Sequence, residues 1–142
     1  MRTTESRTNA VECAATKRTG EFVVNLADER TANAMHASGH EFAEEESEFE
    51  MIGLTPAPAR LVSHPRIAEA AASFECKVER RIELGPGREI IIGAVLLLHA
   101  REGIVDPVSK RISEAYMPVG RLYASRYCTT RQRFELPGEL PK

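Results

Sequence analysis

The sequence predicts a mainly β domain with short helices, an α+β chain whose strands run antiparallel. Between Phe74 and Ile82, the residues Phe74, Cys76, Val78 and Ile82 alternate with Glu75, Lys77, Glu79 and Arg81. That two-residue period is the mark of a strand with one apolar and one charged face. Gly85-Pro-Gly87 supplies a turn, and Glu89 to His99 follows with apolar residues on both faces, so the pair reads as an antiparallel hairpin with one strand fully buried. Upstream, Glu21-Phe-Val-Val-Asn-Leu26 is a β-branched and aromatic run bounded by Gly20 and Asp28, which predicts a buried strand near the centre of a sheet.

The remaining elements follow in chain order. Residues 1–19 are polar and Thr-rich, with weak helical character around Val11 to Lys17 and no clear apolar face. Asp28 is placed to N-cap a helix through Ala32, Met35 and His36, and Gly39 to end it in a left-handed conformation after about two and a half turns. His40 to Glu50 is dense in glutamate and reads as a solvated segment anchored by Phe42 and Phe49. Leu54-Thr-Pro-Ala-Pro58 is extended, because each proline biases its predecessor away from helix. Gly93, inside the apolar strand, marks a bulge or a close backbone approach. Beyond Glu102 two short strands are expected, Arg121 to Tyr127 and Gln132 to Leu136. A strand buried on both sides in so small a domain requires a closed barrel or a partner subunit.

The 142 residues suffice for one domain burying roughly two thirds of its unfolded surface. A net charge of −2 from 19 basic and 21 acidic residues gives no field suited to a nucleic-acid partner. Cys13, Cys76 and Cys128 are odd in number and widely spaced, which argues against a disulfide framework or a zinc site and fits a reducing, cytoplasmic setting. The longest apolar run, Ile90 to Leu98, is about half the length needed to span a bilayer, so no membrane partner is expected.

Several ordered blocks carry a resemblance. Arg18-Thr-Gly-Glu-Phe-Val-Val-Asn-Leu26, Ser47-Glu-Phe-Glu-Met-Ile-Gly-Leu-Thr-Pro56, Pro65-Arg-Ile-Ala-Glu-Ala70 and Ser73-Phe-Glu-Cys-Lys-Val78 resemble the flavin reductase-like family of FMN-binding split β-barrels. Ile92 to His99 resembles the family strand that ends in histidine. Pro118-Val-Gly-Arg-Leu122 with Tyr127, then Phe134-Glu-Leu-Pro137, resembles its tail. The resemblance implies an antiparallel Greek-key split barrel, a homodimer with FMN near the subunit interface, and hydride transfer from NAD(P)H to the flavin, with an oxygenase as a possible recipient of reduced flavin. Because the flavin is the electron sink, no catalytic triad is expected.

The family places two or three strands and much of its flavin-phosphate site before the Arg18 block. The expectation is therefore a barrel incomplete at its N-terminus: residues 1–17 a poorly matching segment, 18–137 the partial domain, 138–142 a tail. Ala10, Val11 and Glu12 stand where the family has Lys/Arg-Asp-Thr, and losing two or three charge-assisted bonds to phosphate would lower FMN affinity by about a thousandfold. The resemblance places His36, Ser38 and Gly39 on a loop near the flavin and brings Arg121 and Tyr127 of the tail toward flavin or the partner subunit. Two other readings stay open: a non-catalytic dimerisation module derived from the same fold, and a metal site built on His36, His40 and nearby glutamates. His99 reads as structural, and Arg66 as an anion ligand or, more simply, one half of a surface salt bridge.

Overall fold

The computed structural model describes residues 16–40, 48–86, 88–136 and 138. Its centre is a three-stranded antiparallel sheet in which β4 (Ala72–Gly85) lies between β1 (Glu21–Leu26) and β5 (Arg88–Ala100). The register runs from Glu21 opposite Lys77 to Leu26 opposite Ala72 on one side, and from Ala72 opposite Ala100 to Gly85 opposite Arg88 on the other. Two smaller antiparallel pairs flank it, β2 (Pro56–Ala57) with β3 (Arg66–Ile67) and β6 (Val119–Tyr123) with β7 (Arg126–Thr129). The helices are short: α1 (Ala32–Ala37) and α2 (Glu48–Ile52). Among the described residues the buried apolar side chains are small ones at and just before the start of β4, Ala70, Ala71, Ala72 and Cys76, together with Ile104.

β1 is an edge strand of the described sheet with no fully buried residue, not the buried central strand expected, because β4 takes the middle place. The hairpin stands as the sequence predicts it, and Gly93 is a close approach. A Cβ built there would lie 2.5 Å from Cζ of Phe22 and 3.2 Å from the Lys77 carbonyl. The Phe22 ring of β1 therefore reaches past β4 to lie on β5, and only glycine leaves room for it.

Other expectations need correction. β5 is not fully buried: Ile92, Val95 and Leu98 are exposed, Val95 by 58%. The charged face of β4 is not uniformly solvated, since Glu75 is 0% exposed beneath the loop that precedes β3. Asp28 does not cap α1. Its Oδ1 accepts the Arg30 N–H at 3.0 Å and its Oδ2 is held at 2.7 Å by Nη2 of Arg101; Thr31 occupies the N-cap, but its hydroxyl accepts the Asp28 N–H at 3.1 Å and makes no capping bond to the helix. Nor is Gly39 left-handed. α1 runs into Ser38 with right-handed angles and unwinds through the Gly39 N–H bond to the His36 carbonyl.

Near the C-terminus, Arg121 to Tyr127 is a hairpin rather than one strand, turning at Ala124 with φ of +46°. Residues 132–136 form no strand and are exposed. The Leu54 to Pro58 segment is extended, and its residues Pro56 and Ala57 pair with β3. The expectations for Val11, Cys13, Phe42 and the glutamates before Glu48 fall outside the described residues. Among those described, no helix is long and apolar enough to cross a membrane.

Candidate functional site

The Glu21-to-Leu26 run does more than form a strand. Asn25 Oδ1 accepts the Ile67 N–H at 3.0 Å and the Ser73 hydroxyl at 2.8 Å, which clamps β3 against the junction of β1 and β4. Glu21 Oε2 accepts both the N–H and the hydroxyl of Ser63 at 2.8 Å, and Thr19 shares a 2.8 Å hydrogen bond with His64 Nε2. The loop from Pro58 to Pro65 is thus fastened to the sheet from below.

Its main anchor is Glu75. Oε1 accepts the Arg60 N–H at 2.8 Å and pairs with Nε2 of His99 at 2.5 Å, while Oε2 accepts the N–H groups of Leu61 at 2.6 Å and Val62 at 3.2 Å. Burial alone would raise the pKa of this carboxyl. The His99 bond and the Arg60 and Leu61 amides outweigh that cost and bring it from 4.5 down to about 2. Glu75 is therefore an internal anion at neutral pH around which the loop is folded, and His99 buttresses it, the structural place the sequence suggested. Asp28 plays a parallel role. Burial opposes its charge, but Arg101 and the Arg30 amide hold its pKa below the ordinary 3.8.

Consecutive residues of a strand face opposite sides, and β3 uses this to separate two clefts. Ile67 faces an open, mostly apolar cleft of about 510 Å³ walled by Phe22, Phe49, Ile52 and Ile91. Asn25, Ser38 and His64 supply polar groups at its margin. Arg66 faces a polar cleft of about 440 Å³ with Ser73, His99 and Arg101.

The residues singled out from the sequence fall in neighbouring places. The Tyr127 hydroxyl and Nδ1 of His36 share a hydrogen bond at 3.2 Å, their rings meeting edge to face at 5.7 Å. The Arg121 guanidinium sits 6.0 Å from the centre of the Tyr127 ring. This cluster forms because the Glu29 N–H bonds to the Met117 carbonyl and Asp28 bridges to Pro118, which docks the β6–β7 hairpin against the chain leaving β1. Ser38 lines the apolar cleft, its hydroxyl donating to the Met35 carbonyl at 2.8 Å, and Gly39 is exposed. His36 and His40 stack edge to face at 5.8 Å, yet among the described residues no group of three His, Cys, Asp or Glu is placed to hold a metal. Arg66 makes no salt bridge among the described residues, contrary to the simpler expectation. Phe22, Asn25, His64 and Glu75 were not singled out. Only Asn25 carried a signal, as the one polar residue in the Phe22–Leu26 stretch of β1.

Comparison with known proteins decides the relationship. The flavin reductase like domain matches residues 9–130. The chain belongs to the flavin reductase-like family. The 2-nitrobenzoate 2-nitroreductase of Pseudomonas fluorescens superposes with a TM-score of 0.83 at 32% identity, over 92% of this chain and 66% of its own. Nitrilotriacetate monooxygenase component B of Bacillus cereus gives 0.78 at 32% identity, over 87% of this chain and 63% of its own. An uncharacterized protein of Aquifex aeolicus is 39% identical over 109 residues, 77% of this chain and 55% of that protein. The chain thus spans between about half and two thirds of these flavin reductase-like relatives. Its antiparallel strands and few short helices are those of the family's split barrel.

Proposed function

We propose that this chain is the flavin-binding part of an NAD(P)H-dependent flavin reductase that uses FMN and acts as a homodimer. The observation that carries the reading is the apolar cleft of about 510 Å³, which lies within the range of small-molecule sites. Phe22, Phe49, Ile52, Ile67 and Ile91 offer the flat apolar walls that a tricyclic ring needs, and Asn25, Ser38 and His64 offer hydrogen-bond partners for its polar edge. Family membership supports flavin as the occupant.

FMN, when bound, supplies the hydride acceptor, with NAD(P)H as donor. The work left to the protein is to bind, orient and exclude water. Phe22 and Ile67 wall the site, and Asn25 keeps Ile67 in place through its backbone N–H. The family resemblance supports a role for the His36, Arg121 and Tyr127 cluster next to α1 in holding the flavin or the second copy. The uncovered apolar residues of β5 supply the surface for a second copy. A component of an oxygenase system among the relatives supports delivery of reduced flavin to an oxygenase.

The test is an FMN titration of the 142-residue chain by flavin fluorescence, with oxidation of NADH and NADPH in the presence of excess FMN. Saturable binding at about 1–100 μM and flavin-dependent oxidation are expected. Absence of binding up to about 1 mM overturns the reading, and sedimentation as a monomer overturns the dimer.

A further inference from the structure

We propose that the polar cleft behind β3 is a binding site for a phosphate ester, with Arg66 as its charged ligand. Among the described residues Arg66, which lines the cleft, has no salt-bridge partner, and its inner Nε is buried without a hydrogen bond. A guanidinium that lines a cleft and lacks a counter-charge can offer its outer N–H groups to an anion there. Of the other groups facing the cleft, the Arg101 guanidinium is matched by Asp28 at 2.7 Å and the His99 ring is held by Glu75. Among the described residues, Arg66 is the guanidinium there whose charge no carboxylate offsets, and no carboxylate lines the cleft. Ala68, Ala70 and Ala72 leave the space in front of it open.

The site is also built in advance. Asn25 fixes the backbone of β3 through the Ile67 N–H, so Arg66 is presented from a clamped strand. Arg101 is held twice, by Asp28 Oδ2 and by the Glu69 carbonyl at 3.0 Å. A guanidinium fork suits a tetrahedral oxyanion better than an ammonium does, because it can give two parallel N–H bonds. The site itself stands on these contacts. That the ester belongs to a nucleotide rests on the flavin reductase reading, which offers two sources, the FMN phosphate and the phosphates of NADPH.

The experiment uses the whole chain and the variants Arg66→Gln and Arg66→Lys. Inorganic phosphate up to about 50 mM, at constant ionic strength, is expected to raise the melting temperature of the wild type saturably, that of Arg66→Lys less, and that of Arg66→Gln not at all. An equal response of wild type and Arg66→Gln, or no saturable response of the wild type, overturns the site. If Arg66→Gln does not fold, the diminished response of Arg66→Lys makes the same distinction. Affinities for FMN and riboflavin then separate the sources. A fall of about 10- to 100-fold in the FMN-over-riboflavin preference in Arg66→Gln assigns the site to the flavin phosphate. An unchanged preference with a raised KM for NADPH assigns it to the nicotinamide nucleotide. If neither moves, the nucleotide assignment is wrong, and if phosphate acts through Arg66 while no flavin binds, the reductase reading fails and the site remains.

Discussion

Glu75→Gln tests the claim that one buried carboxylate organises the loop between both clefts. Glu75 accepts four hydrogen bonds, two on each oxygen. Glutamine keeps the shape but has one oxygen and one amide group, so whichever way it turns at least one backbone N–H meets an NH₂, and the bonds that survive lose their charged acceptor. Hydrogen bonds to a charged acceptor are worth about 1.5–3 kcal/mol each, so the expected destabilisation is about 3–5 kcal/mol. Urea unfolding at neutral pH measures it, with an unchanged slope against denaturant. The pH dependence is a second arm. The folded-state pKa is depressed from 4.5 to about 2, so this contribution is complete above about pH 4.5 and disappears as pH falls toward 2. The stability gap between wild type and Glu75→Gln should therefore narrow over that interval. A loss below about 0.5 kcal/mol, or a gap independent of pH, would refute the assignment of Glu75 as the anchor.

Gly93→Ala should cost about 1–3 kcal/mol, since its Cβ would fall 2.5 Å from Phe22. Adding Phe22→Leu should restore part of the loss, with a coupling above about 0.5 kcal/mol in a double-mutant cycle. Arg101→Met leaves Asp28, which is 2% exposed, without its cation and should destabilise by about 3–5 kcal/mol, whereas the further change Asp28→Asn should recover part of that in thermal unfolding. Tyr127→Phe removes the bond to His36 and should change stability by less than about 1 kcal/mol while weakening FMN binding about 2- to 10-fold, read by fluorescence titration.

The parts of the fold set by local chemistry were legible before the structure. Alternation from Phe74 to Ile82 and the turn after Gly85 suffice for a hairpin, and a glycine amid Ile92 and Ala94 has no packing purpose other than to admit a neighbour. What was hidden depends on distant partners. Asp28 has the right chemistry for a helix cap, but Arg101, 73 residues away, claims its carboxylate. Alternation assigns Glu75 to solvent, and only the returning loop at Arg60 to Val62 reverses that. The turn at Ala124 lacks the glycine or asparagine that usually marks a positive φ, so one strand was read where there are two. The contact of His36 with Tyr127 spans 91 residues. No periodicity points to it, and the two were brought to attention by family resemblance alone.

The placement of β4 between β1 and β5 has a kinetic consequence. β4 and β5 are joined by a tight turn and can zip together locally, whereas β1 must close a loop of about fifty residues to find its place on the other edge, a slower and entropically costlier event. Phe22 and Asn25, which wall the apolar cleft and clamp β3, arrive only with β1. The binding surface is thus assembled last, and a ligand that fills it would act chiefly as a brake on unfolding, retaining the strand that is the last to join and the first able to leave.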